Sequence, residues 1–177
     1  DAHLQRAVHL AFGFILIFLL YPGRASWSRT KMHPLDILFA VVSAASALYI
    51  VVNYQELVLR AGMNNETDFI VGMVGTFMVF EAARRVVGWP MITVAFFFMV
   101  YAFFGPYVPG ILAHRGVQVQ EMFDHLFFTT EGIFGTPMGV SSTFIYLFIL
   151  FGAYLETTGL GKFFIDIANA IAGWAAG

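Results

Sequence analysis

The sequence predicts an all-α membrane protein: a polytopic bundle of about five spanning helices, one interfacial amphipathic helix and the start of a sixth span. Three observations carry this reading. Of 177 residues, 59% are hydrophobic and only 11% are charged, whereas a soluble domain carries about 25% charged residues. A compact globule this apolar, with a mean hydropathy of +0.78, could not keep its surface wet, but a bilayer solvates such a surface. Apolar stretches long enough to cross a ~30 Å hydrocarbon core recur along the chain. Finally, these stretches lack the alternation that barrel strands require: Ala95-Phe96-Phe97-Phe98-Met99-Val100-Tyr101 is apolar on every side.

The first span is Leu4 to Tyr21, amphipathic at its start through Gln5, Arg6 and His9. It stops at Tyr21-Pro22-Gly23, because proline removes a backbone donor and glycine permits the turn. The second is Leu35 to Asn53, with Pro34 and Asp36 suited to a first helical turn. Phe69 to Gly88 is the third, and Trp89 to Val108 the fourth, reversing at Gly88-Trp89-Pro90. The fifth runs from Thr136 to Tyr154, and Phe163 to Trp174 begins a sixth. Tyr54–Asp68 and Gly110–Gly135 are long connections. Within the latter, Val119, Met122, Phe123, Leu126 and Phe127 recur at helical spacing, with Gln120, Glu121 and Asp124 on the other face. Such a helix lies along the membrane surface or against partner helices; the interfacial position is the expectation. Ala113–Gly132, acidic and amphipathic, is the candidate module boundary.

Basic residues set the orientation. Arg24, Arg29, Lys31, Arg84, Arg85 and Lys162 fall on one side, against Arg6, Arg60 and Arg115 on the other, so the first side is expected to be cytoplasmic. Tyr21, Tyr54, Trp89, Tyr107 and Tyr154 mark helix ends, where amphipathic rings favour the interface. Residue 1 then lies outside. Together with the start Asp1-Ala2-His3, this reads as a fragment preceded by one more helix.

Few residues suggest chemistry. Glu81, Arg84 and Arg85, three and four apart, share one helical face. They read first as an internally neutralised topology anchor, since arginine near a helix end can snorkel to the interface; an ion or substrate role is the alternative. Gly135 and Gly139, followed by Ser141 and Ser142, narrow the fifth span for close helix packing, as Ser43-Ala44-Ala45-Ser46-Ala47 narrows the second. A hydroxyl-lined path is the other reading. The five histidines sit at helix ends or in connections, and no pair has the spacing of a helical metal site. Asn65-Glu66-Thr67 matches a glycosylation acceptor only formally. Glu156, Asp166 and Asn169 flank a turn at Gly159-Leu160-Gly161 and read as caps and solvated residues. There is no cysteine, so no disulfide or thiolate metal site. With a net charge of −2, nothing points to nucleic acid. The absence of a P-loop, a Ser-His-Asp set or a zinc motif argues against an enzyme, and no cofactor is expected.

Several stretches resemble the fused permeases of tripartite ATP-independent periplasmic (TRAP) transporters. They are Gln5-Arg6-Ala7-Val8-His9-Leu10 with Phe18-Leu19-Leu20-Tyr21-Pro22, Glu81-Ala82-Ala83-Arg84-Arg85-Val86-Val87-Gly88-Trp89, and Phe104-Gly105-Pro106-Tyr107-Val108-Pro109-Gly110. The most specific is Thr130-Glu131-Gly132-Ile133-Phe134-Gly135-Thr136-Pro137-Met138-Gly139-Val140-Ser141, followed by Leu155-Glu156 and Gly161-Lys162-Phe163-Phe164-Ile165-Asp166. The resemblance implies a sodium-driven importer of organic acids in the bacterial inner membrane, supplied by a periplasmic binding protein. It further implies a small-subunit-like scaffold at 1–88 lacking its first helix, a connecting helix at 89–117, the amphipathic helix at 118–135 and the beginning of the large transport module at 136–177. Substrate and sodium ligands of such permeases lie in re-entrant hairpins and broken helices, expected beyond Gly177. The partners implied are the lipid bilayer, the remainder of the permease and the binding protein. The alternative is an accessory subunit, derived from such a permease, that joins a larger membrane complex and does not transport.

Overall fold

The structure, a computed structural model, describes residues 1–24 and 32–173. Arg29, Lys31 and Trp174, used in the sequence reading, lie outside the described residues. The chain forms two compact units, Asp1–Met138 and Gly139–Gly177. Every regular element among the described residues is helical.

In the first unit α1 (Ala2–Leu20) is capped by the Asp1 carboxylate, which accepts from the His3 amide at 3.0 Å. It presents Ala7, Leu10, Ala11, Phe14 and Phe18 as one buried stripe, the helical period of its apolar positions. The stripe packs along α2 (Pro34–Val52), which answers with Ala40, Ser43, Ala44, Ser46, Ala47 and Ile50. Small residues let the two backbones approach while the phenyl rings fill the remaining space. The serine hydroxyls are spent inside their own helix: Ser43 Oγ donates to the Phe39 carbonyl at 2.5 Å and Ser46 Oγ to that of Ser43 at 2.7 Å. Packing, not a polar path, therefore accounts for the narrow middle of α2.

The connection after α2 holds a helix the apolar pattern had not marked, α3 (Tyr54–Leu59). Then α4 (Glu66–Val86) begins with a reciprocal cap, Asn65 Oδ1 accepting from the Asp68 amide at 2.8 Å and Asp68 Oδ2 from the Asn65 amide at 3.0 Å. That capping box satisfies two otherwise orphaned donors and gives Asn65 a structural task. At Gly88, φ is +94°, and α5 (Trp89–Phe104) starts with Pro90 in its first turn. It continues through a 3-10 turn at Gly105–Tyr107.

Four helical runs are long and apolar enough to cross a bilayer: Ala2–Leu20, Pro34–Val52, Trp89–Tyr107 and Thr136–Thr158. The expected third span, Phe69 to Gly88, is α4. Its 21 residues reach ~31 Å at 1.5 Å per residue, and it carries more charge than the other four, at Glu66, Asp68, Glu81, Arg84 and Arg85.

Helix α6 (Val119–Phe128) matches the amphipathic helix of the sequence reading, and its apolar face is covered by α4. Phe127 and Phe123 are buried there. The fit depends on glycine: a Cβ on Gly75 would stand 2.2 Å from the Phe127 ring, and one on Gly72 would stand 2.9 Å from Phe128. Gly132 is equally constrained, because a Cβ there would meet the Leu126 backbone at 2.4 Å.

The Thr136–Thr158 run contains a π-helical stretch, Ser141–Ile145, between α7 (Thr136–Val140) and α8 (Tyr146–Thr158). Ser142 Oγ and Thr143 Oγ1 both donate to the Gly139 carbonyl, at 3.1 and 2.8 Å. Hydroxyls that compete for a helical carbonyl disturb the regular ladder. Gly159, left-handed at φ 74°, ends α8, four residues beyond the expected stop at Tyr154, and α9 (Leu160–Ala172) follows directly.

A buried ring against a glycine has no room for one more methyl. Gly75→Ala should destabilise the chain by about 1–3 kcal/mol, the usual cost of overpacking. Thermal unfolding in detergent should show the loss, with a smaller effect for Gly72→Ala.

Candidate functional site

The strongest concentration of charge joins α1, α2 and α4 at one end. Glu81, Arg84 and Arg85 are on one face of α4, as their spacing requires, and all three are engaged. Arg84 Nε lies 2.7 Å from Glu81 Oε2, and Arg85 Nε lies 2.8 Å from Glu81 Oε1. The residue the sequence reading missed is Asp36, whose Oδ1 sits 2.7 Å from Arg85 Nη1. Asp36 had been read as a first-turn residue of α2, and nothing in the sequence links it to a position 49 residues away.

Burial separates the two arginines. The Arg85 side chain is 1% exposed and that of Asp36 7%, whereas Arg84 keeps 26%. Arg85 Nη1 also donates to the Tyr21 carbonyl at 2.9 Å, and Arg84 Nη2 to that of Gly23 at 2.9 Å. These carbonyls belong to the chain leaving α1, where Pro22 and the end of the helix leave acceptors unused. The Arg85 guanidinium also lies over the edge-to-face pair Phe18 and Phe39, at 4.7 and 5.5 Å from the ring centroids. Two carboxylates and two guanidinium groups cancel in charge.

The far end of the α2–α4 pair has its own clamp. Asp68, fully buried, accepts from Tyr49 Oη at 2.7 Å and faces Arg60 Nη1 at 3.3 Å while capping α4. Two antiparallel helices are thus fixed at both ends. Arg6 Nη1 donates to the Phe134 carbonyl at 2.6 Å, tying the start of α1 to the segment after α6.

The packing residues proposed in the fifth span fare differently from one another. A Cβ on Gly135 would meet only its own turn, at the Gly132 carbonyl, and Gly139 serves as the acceptor of two hydroxyls. Ser142 is buried and Ser141 half-buried. Close approach is also made at Gly72 and Gly75, which the sequence reading does not single out, although their Gly-x-x-Gly spacing within α4 is a usable signal.

Beside the Asp68 clamp, a cleft of about 700 Å³ is bordered by α3, α6 and the start of α1. Its polar lining includes Asn64, Gln120, Glu121, Asp124 and His125. Burial pushes the Asp124 carboxyl above its ordinary value, and the nearby Asp68 adds to the effect, while a hydrogen bond with Asn64 opposes it. Among the described residues no three histidine, cysteine or acidic side chains cluster as metal ligands.

Helices of spanning length, charges consumed in joining them to one another, and an apolar exterior define a multi-pass α-helical membrane protein. A family model, tripartite ATP-independent periplasmic transporter, DctM component, matches residues 74–177. The chain belongs to that family, which is one of transporter components and not of enzymes. No curated protein and no solved structure matches the chain.

Removing one partner of a buried ion pair strands the other charge. Asp36→Asn and Arg85→Met should each cost about 3–5 kcal/mol, while a double apolar replacement, Asp36→Leu with Arg85→Met, should cost less than the sum. A double-mutant cycle on unfolding in detergent reads this coupling.

Asp124 gives a pH signature. A carboxyl raised on folding favours the folded chain below its unfolded value, and that contribution is lost as pH rises through the folded one. Asp124→Asn should therefore raise Tm at pH 7 and have little effect at pH 4.

Proposed function

We propose that this chain is the scaffold portion of a fused permease of that family, with residues 1–88 as a small-subunit-like module, 89–117 as the connecting helix and 136–177 as the beginning of the transport module. In this reading α4 is a full span, and the permease sits in the bacterial inner membrane. The Arg84–Arg85 end faces the cytoplasm and the α3–α6 cleft faces outward. The complete permease uses a sodium gradient to import organic acids handed over by a periplasmic binding protein.

The observation that carries the scaffold assignment is the ion-paired cluster of Asp36, Glu81, Arg84 and Arg85. Ionisable groups inside a span mark ion or substrate paths when they are open to a ligand. Here Asp36, Glu81 and Arg85 are matched by neighbours on another helix or the same one, as a brace requires, and Arg84 keeps only its outer edge at the surface. The family description supports the transporter part of the reading, and the basic connections support the orientation.

Uptake of radiolabelled organic acids into vesicles holding the complete permease and its binding protein tests the proposal. Removing sodium should abolish uptake. Arg85→Met should lower the amount of folded permease while leaving the sodium dependence of the remaining uptake unchanged. Uptake indifferent to sodium would overturn the coupling, and a complex that never transports would favour the accessory-subunit reading.

A further inference from the structure

Between α4 and α5 lies a second cavity, of about 440 Å³, floored by Met122 and Leu126 of α6. Its walls include Phe80 and Ala83 of α4 and Ala95 and Phe98 of α5, and Thr76 is its one polar lining residue. Along α5 it runs from Met91 to Ala102, ~16 Å at 1.5 Å per residue, or about half of a ~30 Å hydrocarbon core. Helix α5 buries none of its residues, so this groove separates it from the bundle over most of its length.

The hairpin end of the groove is basic and amphipathic. Ala83 and Met91 line it there, Ala83 directly before Arg84 and Met91 two residues after Trp89. Arg84 directs Nε and Nη2 at Glu81 and Gly23, and Nη1 has no hydrogen-bond partner among the described residues. The guanidinium lies 5.7 Å from the centroid of the exposed Trp89 ring. Arg24, also exposed, follows the glycine whose carbonyl Arg84 holds. An apolar slot at hydrocarbon depth, with the Arg84–Trp89 pair following its hairpin end, complements one class of molecule.

We propose that the α4–α5 groove binds an anionic phospholipid, one acyl chain filling the slot and the phosphate meeting Arg84. The inference rests on α4 and α5 lying in the bilayer and not on the transport reading, so uptake and lipid retention fail independently. An acyl chain requires nothing of Thr76, whose buried hydroxyl has no partner; a polar lipophile would use it.

The chain, extracted from membranes and exchanged in detergent with equimolar phosphatidylglycerol and phosphatidylethanolamine, is washed and its bound lipid counted by native mass spectrometry. One phospholipid per chain should survive, with phosphatidylglycerol favoured about fivefold, the equivalent of ~1 kcal/mol from a basic side chain. Ala95→Trp should displace it, whereas Val94→Trp, outside the lining, should not. Ala83→Leu is a smaller plug should the tryptophan prevent folding. Thr76→Val should leave retention intact. Equal retention in the Ala95 and Val94 variants, loss of lipid in Thr76→Val, or absence of a headgroup preference would overturn the proposal.

Discussion

The buried guanidinium of Arg85 is the constraint on which the α1–α2–α4 arrangement depends. A charge withdrawn from water must find its compensation nearby, and the cost of failing is several kcal/mol. Arg85 obtains it from Asp36 on α2, Glu81 on its own helix, the Tyr21 carbonyl after α1 and the faces of Phe18 and Phe39. No single helix could supply that set. Satisfying one side chain therefore fixes the end of α1, the start of α2 and the end of α4 in one place. An ion pair of this kind adds little net stability over an apolar replacement. What it supplies is register: α4 cannot slide or rotate by a turn without leaving charges unmatched.

The Asp68 clamp applies the same logic at the opposite end with different groups. Here a carboxylate serves three partners at once, the Asn65 amide, Tyr49 and Arg60. Between the clamps the helices rely on shape. Alanines and serines of α2 admit the α1 backbone, and Gly72 and Gly75 admit the phenyl rings of α6. Polar groups at the ends and small groups in the middle divide the work according to depth. Water and headgroups tolerate an imperfectly matched charge, whereas the hydrocarbon core rewards only close contact.

Helix α6 shows how an amphipathic pattern leaves its partner unspecified. Val119, Met122, Phe123, Leu126 and Phe127 announce an apolar face, but a lipid headgroup region and a neighbouring helix satisfy it equally well. Its buried rings rest on α4, where two glycines one turn apart leave a hollow of the right depth. That pairing lies in residues more than forty positions away, in no local pattern.

Much of the architecture is written in the chain itself. Span-length apolar runs, the stops at Pro22 and Gly88, and the helix at 119–128 follow from hydropathy, backbone restriction and periodicity, all local properties. The Glu81–Arg84–Arg85 face is local too, since helical geometry alone brings residues three and four apart together. Tertiary structure decided what local rules cannot reach: that Asp36 completes the charge set, that Asp68 is a buried clamp, and that Gly72 and Gly75 are glycines of close approach. It also decided that the serines of α2 serve packing. Each of these depends on which helix faces which. That is settled by simultaneous satisfaction of buried charges and volumes across the bundle, a condition no single segment carries.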